Sequence, residues 1–291
     1  MMGIHGDLVW EVEPGLRVIP GARFDVFLVN GEPLWSVSPR IYAEFDVHKH
    51  WTLRHGLGVA HQLPSFVVPL PGIQPVGEQG LQRAVQHSAG VEWRMAHEVT
   101  AQATVFQNIQ INMTDALSTT RFNSVEDISR DPRVQGSGRG LELLLRRPLT
   151  ERLGGYLSYT LSRATRSVGR ERGPASFDRT HVLSAALGYQ LPKGWNAGVR
   201  GMFYTGIPAQ DLSAEYDFSR PPRTRSFYRF DWRVEKRWDV GTRDAWWALV
   251  FEVLNTTLNK EELLLDCSDL ACDRETIGPV TVPSVGVEAS F

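Results

Sequence analysis

The sequence has no long apolar run, few cysteines, few lysines and no excess of charge of one sign. Its longest uninterrupted apolar stretch runs from Ala245 to Phe251, whereas a membrane-spanning helix needs about 18 to 20 such residues. This excludes a protein that crosses a membrane with helices. The 31 basic and 33 acidic side chains leave a formal charge of −2. That balance argues against a protein that binds nucleic acid by neutralising its phosphates.

The only two cysteines of the 291 residues, Cys267 and Cys272, lie close together in an acidic stretch. Two cysteines without a nearby histidine are too few for a structural zinc site, and we expect no metal site and no cofactor. We predict a disulfide between them, which implies an oxidising compartment. Free thiols in a reducing compartment are the alternative. A calcium site among the acidic residues of 259–276 is an alternative to a solvated loop.

The composition and the local pattern of side chains both favour β-structure. Nine Trp, 26 Gly and 17 Pro supply many aromatic and turn-forming residues, and apolar residues recur at every second position. The clearest segment is 228–238, where charged residues alternate with an apolar set. Because successive side chains of a strand point to opposite sides of the sheet, this set forms one wall: Tyr228, Phe230, Trp232, Val234 and Trp238.

The alternation predicts thirteen strands, at residues 7–13, 16–29, 34–47, 50–62, 81–96, 98–112, 137–148, 152–164, 179–190, 195–206, 225–239, 244–258 and 277–291. Strands of globular proteins average about five or six residues, whereas a tilted strand that crosses a bilayer needs about 9 to 11. Most of the predicted strands are longer than ten residues. Their length therefore favours a membrane barrel.

The connections between the predicted strands alternate in length after the fourth strand. Short turns separate the long segments, which are 63–80, 113–136, 165–178, 207–224 and 259–276. Outer-membrane barrels have short turns on the periplasmic side and longer loops outside. A soluble sandwich or propeller gives no reason for such an alternation, so the connections also favour a barrel.

Aromatic residues lie near the ends of the predicted strands rather than in their middles. They are Trp10, Trp35, Trp51, Trp93, Tyr189, Trp195, Trp238 and Trp247. This placement predicts two aromatic belts at the membrane interfaces. Packing of the same residues in the core of a soluble protein is the alternative.

Seven short segments carry a resemblance to one family. They are residues 14–25 (PGLRVIPGARFD), 38–41 (SPRI), 56–64 (GLGVAHQLP), 138–148 (GRGLELLLRRP), 155–162 (GYLSYTLS), 177–183 (FDRTHVL) and 251–259 (FEVLNTTLN). They resemble the C-terminal barrel half of TonB-dependent outer-membrane receptors. The resemblance implies an antiparallel transmembrane barrel of 22 strands, with its lumen filled by an N-terminal plug domain.

The resemblance also implies a place in the bacterial outer membrane and a function. Such receptors import metal chelates, vitamins or oligosaccharides with energy that the TonB protein relays through the plug. This chain has no recognisable signal peptide, TonB box or plug domain, and an odd number of strands cannot close an all-antiparallel barrel. We therefore expect residues 1–291 to be the C-terminal part of one barrel domain, left by truncation, a split gene or a misplaced start.

The last residues of the chain alternate in the same way. Val285, Val287, Ala289 and Phe291 share one face, and the chain stops on an aromatic residue. This pattern resembles the C-terminal signal of bacterial outer-membrane proteins, which the barrel-assembly machinery recognises. By itself this ending also occurs in other proteins, but after twelve amphipathic strands it indicates an outer-membrane barrel more strongly.

The charged side of the segment 228–238 predicts a ladder of ion pairs on the lumen-facing wall. Its members are Arg229, Asp231, Arg233, Glu235, Arg237 and, from the following strand, Glu252. We interpret the ladder as structural. Binding of an anionic ligand by its arginines is the alternative.

Together these patterns predict an all-β receptor and transporter barrel rather than an enzyme. A passive pore or loop-mediated adhesin barrel is the second hypothesis, and a soluble all-β binding domain is the third. The expected partners are outer-membrane lipid and lipopolysaccharide, the barrel-assembly machinery, and the missing plug and N-terminal strands. TonB would act only through that absent plug.

Overall fold

The structure of the protein is a computed structural model, and it describes residues 1–29, 32–63, 80–113, 134–149, 152–168, 171–209, 211–212, 219–241, 245–268 and 271–290. Single 3-10 turns occur at Ala96–Glu98 and Pro192–Gly194. The strands are β1 Met2–Asp7, β2 Trp10–Glu13, β3 Leu16–Val29, β4 Glu32–His48, β5 Trp51–Gln62, β6 Gln82–Arg94, β7 Thr100–Met113, β8 Val134–Arg147, β9 Leu153–Val168, β10 Glu171–Pro174, β11 His181–Leu191, β12 Trp195–Tyr204, β13 Asp211–Leu212, β14 Phe227–Asp239, β15 Trp246–Leu254, β16 Glu261–Ser268, β17 Ala271–Ile277 and β18 Val282–Ser290.

One large sheet of 15 strands dominates the molecule. Its order is β1-β3-β4-β5-β6-β7-β8-β9-β11-β12-β14-β15-β18, with β2 and β10 as short additions. Neighbours along this path pair antiparallel, as in the register of β8 and β9. The all-β antiparallel prediction and its thirteen principal strands are confirmed. Among the described strands β1 and β18 do not pair with each other, so the barrel is not closed.

Two regions differ from the predicted strand boundaries. Residues 2–13 form one interrupted strand, β1 and β2, along β3, whereas only 7–13 was predicted. The segment 259–276, predicted as a loop, contains the hairpin β16–β17, which joins β13 in a separate three-stranded sheet. A bulge between Glu262 and Leu264 shifts the register of this hairpin, and such a bulge breaks the alternation by which a strand is recognised.

One face of the large sheet exposes apolar side chains and the other face buries polar ones, which is the reverse of a sheet in a soluble protein. On β5, Thr52 is fully buried and its neighbour Leu53 is 46% exposed. On β14, Asp231 is buried and Trp232 is 54% exposed. We call the side that carries Leu53 and Trp232 the apolar face and the other side the polar face. An exposed apolar face opposite a polar one is typical of a membrane barrel wall.

The two ends of the sheet also differ. Adjacent strands are joined by short connections at one end, for example Lys49 and His50 between β4 and β5. We call this the short-connection end, and the opposite one the long-connection end. A small buried cluster at the long-connection side joins Ala209, Leu265 and Cys267. No helix in the described part of the chain is long and apolar enough to cross a membrane.

Candidate functional site

Pairing across β12, β14, β15 and β18 gathers the predicted ladder on the polar face. Arg200 lies opposite Asp231, and Arg233 lies opposite Glu252. The odd-numbered residues of β14 therefore face the same side as the polar residues of the flanking strands. All six predicted residues share this face, because directly opposed residues in a sheet point to the same side.

Asp231 is the centre of the first ion-pair cluster of the ladder. Its side chain is only 5% exposed. It accepts hydrogen bonds from the Arg200 guanidinium at 2.8 and 2.9 Å and from the Asn255 backbone N–H at 2.8 Å. Arg229 Nε lies 3.1 Å from Oδ1, the oxygen that accepts from Asn255, as an ion pair without a hydrogen bond. The buried carboxylate thus accepts a hydrogen bond at each oxygen and is paired with two guanidinium groups, which indicates a structural role.

Arg233 and Arg237 form two further, separate clusters. Arg233 contacts Glu235 at 3.0 Å and Glu288 of the last strand at 2.9 Å. Arg237 pairs with Asp239 at 3.1 Å. Glu252 lies opposite Arg233 in the register, yet it makes no ion pair with any described residue. Glu288 of β18 makes that contact with Arg233, although the sequence pattern gave no indication of it.

A second network on the polar face was missed by the sequence pattern. Glu44 contacts Arg54 at 3.1 Å and Arg17 at 3.7 Å, and Glu92 contacts Arg54 at 2.9 Å and Arg94 at 3.1 Å. These residues come from β3, β4, β5 and β6. The sequence shows that each of these strands carries charges on its polar side, but only the register determines which charges meet. This network stabilises the wall across four strands.

A third cluster holds together the segments at the long-connection end. The Asp178 side chain is completely buried and is paired with the guanidinium of Arg223. The Ala164 backbone N–H donates to the same carboxylate at 2.5 Å, and Arg223 also donates to the carbonyl oxygens of Asp178 and Gly206 at 2.8 and 3.1 Å. Asp178 therefore links β9, the start of β11 and the segment before β14.

The hairpin β16–β17 is attached to the wall by two acidic residues. Glu261 accepts a hydrogen bond from the Tyr204 hydroxyl, and its carboxylate lies 3.8 Å from the Arg179 guanidinium. The same guanidinium lies 3.8 Å from the centre of the Tyr204 ring. Glu262 contacts Arg274 at 2.7 Å and Arg225 at 3.3 Å. Two acidic residues of the segment 259–276, Glu261 and Glu262, are thus paired with arginines.

Cys267 and Cys272 lie opposite each other in the hairpin and form a disulfide. Cys267 is buried beside Leu265 and Ala209. The disulfide therefore closes the tip of a hairpin with a small core of its own. Within the described ranges, no group of three His, Cys, Asp or Glu side chains is arranged to hold a metal ion.

The last strand, β18, pairs with β15 and brings the predicted terminal signal to the apolar face. Val285 and Val287 lie opposite Phe251 and Leu249, and Ala289 lies opposite Trp247. All three are exposed. Phe291 lies outside the described residues.

Seven of the eight predicted belt aromatics lie at the short-connection end, and Trp35 lies at the other end. Trp51 stacks on Trp93 at 5.1 Å between ring centres, and Trp238 stacks on Trp247 at 4.2 Å. The Lys236 ammonium lies 5.3 Å from the Trp238 ring centre and 5.7 Å from that of Trp195. One belt is therefore dense in aromatic residues, and the two predicted belts are unequal.

Comparison with solved structures shows the same fold in several import and uptake receptors. The ferric-catecholate import receptor Fiu of E. coli K12 superposes with a TM-score of 0.71 at 12% identity, over 99% of this chain and 44% of its own. The ferric yersiniabactin uptake receptor FyuA of Yersinia pestis superposes with a TM-score of 0.68 at 13% identity, over 99% of this chain and 45% of its own. The siderophore receptor PiuA of Acinetobacter baumannii superposes with a TM-score of 0.67 at 12% identity, over 99% of this chain and 43% of its own.

The chain thus spans less than half of the length of these receptors. A comparison with proteins of curated function found no match. The family model described as "TonB dependent receptor-like, beta-barrel" matches residues 2–256. This match covers nearly all of the large sheet, from β1 to the residues that follow β15. The chain therefore belongs to the TonB-dependent receptor β-barrel family.

Proposed function

We propose that the protein acts in energised, TonB-dependent uptake of a ligand across the bacterial outer membrane. The observation that carries the proposal is the family match over residues 2–256. Metal chelates, vitamins and oligosaccharides are the ligand classes we consider. Ferric chelates are favoured, because the similar structures are described as ferric-catecholate, ferric yersiniabactin and siderophore receptors. In this role the chain is a receptor and not an enzyme.

We further propose that residues 1–291 are the C-terminal part of one barrel domain. The open edges of the sheet at β1 and β18 support this, because unpaired edges within a membrane leave backbone groups without partners. The missing strands and a plug would complete the wall and fill the lumen. TonB would contact the plug, and the assembly machinery would recognise Val285, Val287, Ala289 and Phe291. The apolar face would contact lipid and lipopolysaccharide.

In this proposal the polar face lines the lumen, and the ladder of β14 keeps the wall rigid. Asp231 is paired with Arg200 and Arg229, and Arg233 and Arg237 are engaged with carboxylates. Arg225, at the long-connection end, also pairs with a carboxylate, that of Glu262 at 3.3 Å, but its side chain is 78% exposed. We propose that it gives one of its remaining donors to an anionic chelate.

The test is uptake by cells in which the gene has been deleted. Radiolabelled ferric citrate, a ferric catecholate, cobalamin and a maltodextrin are supplied separately, to the deletion strain and to a strain without TonB. We expect accumulation of one ligand class to be lost in both strains. Loss on deletion with normal uptake in the TonB-less strain identifies a passive pore. Normal uptake of every ligand after deletion contradicts an uptake function for these four ligands.

A matched pair of variants tests the contribution of the long-connection end. We expect Arg225→Gln to raise the ligand concentration needed for half-maximal uptake by about threefold to tenfold, as for loss of one charge-assisted hydrogen bond. Arg237→Gln, at the short-connection end and also on the polar face, serves as the control. Equal effects of the two substitutions would argue against a ligand contact at Arg225.

A further inference from the structure

Four polar side chains interrupt the apolar face in a single row across β6 to β9. His87 lies opposite Gln107, Gln107 opposite Arg139, and Arg139 opposite Arg163. All four are exposed. Because neighbouring strands are about 4.8 Å apart, the row extends about 14 Å along the wall.

The flanking residues establish that this row is on the apolar face. Leu141 lies two residues after Arg139, and Leu161 lies two residues before Arg163. These two leucines are directly opposed. Val105 occupies the corresponding place beside Gln107. Side chains two residues apart point to the same side of a sheet. The arginines therefore emerge from an apolar surface.

The charges of Arg139 and Arg163 are not balanced within the wall. Like charges directly opposite each other across a strand pair repel. In the part of the chain that the structure describes, neither guanidinium forms an ion pair, whereas the polar-face arginines 54, 94, 200 and 233 all do. His87 differs, because its Nε2 lies 2.9 Å from that of His55. The arginine pair therefore presents two free positive charges to an anion.

The row lies near the long-connection side of the apolar band. Arg139 stands eight residues before the end of β8 at Arg147, and Arg163 stands ten residues after the start of β9 at Leu153. With a rise of about 3.3 Å per residue and a tilt of about 40°, this is roughly 20 to 25 Å from the short-connection end, in a band about 25 Å tall. Long connections face outside in such barrels, which puts the pair at the outer leaflet.

A shallow groove of about 560 Å³ runs along the same row. Its lining residues include the four of the row, His87, Gln107, Arg139 and Arg163, together with Leu141 and Leu161. The groove thus combines two guanidinium groups at one level with apolar side chains directly beside them. A lipid with an anionic head group and several acyl chains has this distribution of charge and apolar surface.

We propose that Arg139 and Arg163 bind the phosphate groups of lipopolysaccharide in the outer leaflet, with Gln107 as an additional hydrogen-bond donor. Guanidinium groups pair with phosphate through two parallel hydrogen bonds. A glycolipid with more than one phosphate matches two adjacent arginines better than a phospholipid with one. This proposal specifies a lipid partner for the proposed outer-membrane protein, and it rests on that location.

The experiment uses the protein as it occurs in the outer membrane of its own cells, extracted in mild detergent. Native mass spectrometry measures the fraction of molecules that retain lipopolysaccharide, for the wild type and for Arg139→Gln, Arg163→Gln and the double variant. The double variant should retain about tenfold less, and each single variant an intermediate amount. Lys236→Gln is the matched control, since Lys236 is also a cation on the apolar face but lies at the short-connection end.

Delipidated wild-type protein is then titrated with purified lipopolysaccharide, with enzymatically dephosphorylated lipopolysaccharide and with phosphatidylglycerol. Only the phosphorylated glycolipid should bind, and the double variant should not respond to it. Equal retention by wild type and double variant, or an equal loss in Lys236→Gln, would overturn the proposal. So would binding of phosphatidylglycerol as tight as that of the glycolipid.

Cell fractionation and heat-dependent gel mobility accompany every variant. A protein that is absent from the outer membrane contradicts the proposed location, and with it this site. A protein that is folded there but holds lipopolysaccharide without regard to Arg139 and Arg163 contradicts only the site.

Discussion

At the scale of single residues, the polar face stabilises the wall by satisfying buried carboxylates. Asp178 and Asp231 are both almost completely removed from solvent, and each has several donors. Removing a charge from such a site leaves its partners without a counter-charge, which costs more than the loss of an exposed pair. The surface pair Arg237–Asp239, with Asp239 80% exposed, provides the comparison.

We expect Asp178→Asn to lower the free energy of unfolding by about 2 kcal/mol, because Arg223 loses its buried counter-charge. The measurement is the urea midpoint of the protein in detergent micelles. Asp239→Asn is the control and should change the midpoint little, since exposed ion pairs contribute about 0 to 1 kcal/mol. A midpoint for Asp178→Asn equal to that of the control would mean that the pair does not stabilise the fold.

At the scale of elements, the hairpin β16–β17 is a small unit attached to the large sheet. Its core contains Leu265 and Cys267, and it contacts the wall through Glu261 and Glu262. The hairpin was not predicted, because Leu263, Leu264 and Leu265 follow one another and a bulge interrupts the register between Glu262 and Leu264. A continuous apolar run of this kind has no period of two.

We expect maleimide to label Cys267 and Cys272 in the native protein only after reduction. After mutation of both to serine, the sheet should keep its heat-dependent gel mobility, whereas the hairpin should be cut faster by a protease, because an unlinked short hairpin is marginally stable. Single substitutions expose one thiol and provide the labelling control. Labelling without a reductant would contradict the disulfide.

At the scale of the whole molecule, the large sheet is one wall with an apolar face and a polar face. The apolar face is exposed along the length of the sheet, from Phe24 on β3 to Val287 on β18. Exposed apolar patches of this extent are rare on soluble monomers. The unequal aromatic belts give the wall a direction, with the denser belt at the short-connection end.

The depth of the apolar face in a membrane can be measured with two leucines of β11 that lie on this face at different distances from the strand end. Leu187 and Leu191 share this face, and Leu191 is the last residue of the strand. We expect Leu187→Arg to cost about 2 to 4 kcal/mol of folding free energy in lipid vesicles and Leu191→Arg about 0 to 1, since the cost depends on depth. Equal costs measured by denaturant titration would contradict this placement.

Much of the fold was determined by the sequence alone. Alternation is a local property, since each side chain of a strand points opposite to its neighbours whatever the partner strand is. The thirteen principal strands, the two faces and the family could therefore be predicted from residues close together in the chain. The strand prediction failed at Met2–Asp7, where every residue is exposed and the sequence is rich in glycine and polar residues.

Only the tertiary structure decided which side chains meet. The choice of Glu288 rather than Glu252 as a partner of Arg233, the network from Arg17 to Arg94, and the opposed pair Arg139 and Arg163 all depend on register. Register is set by hydrogen bonds between strands that are distant in sequence, and a shift of one residue would turn every side chain to the other face. The sequence alone therefore determined the wall and its two faces, and the pairing of the strands determined the sites on them.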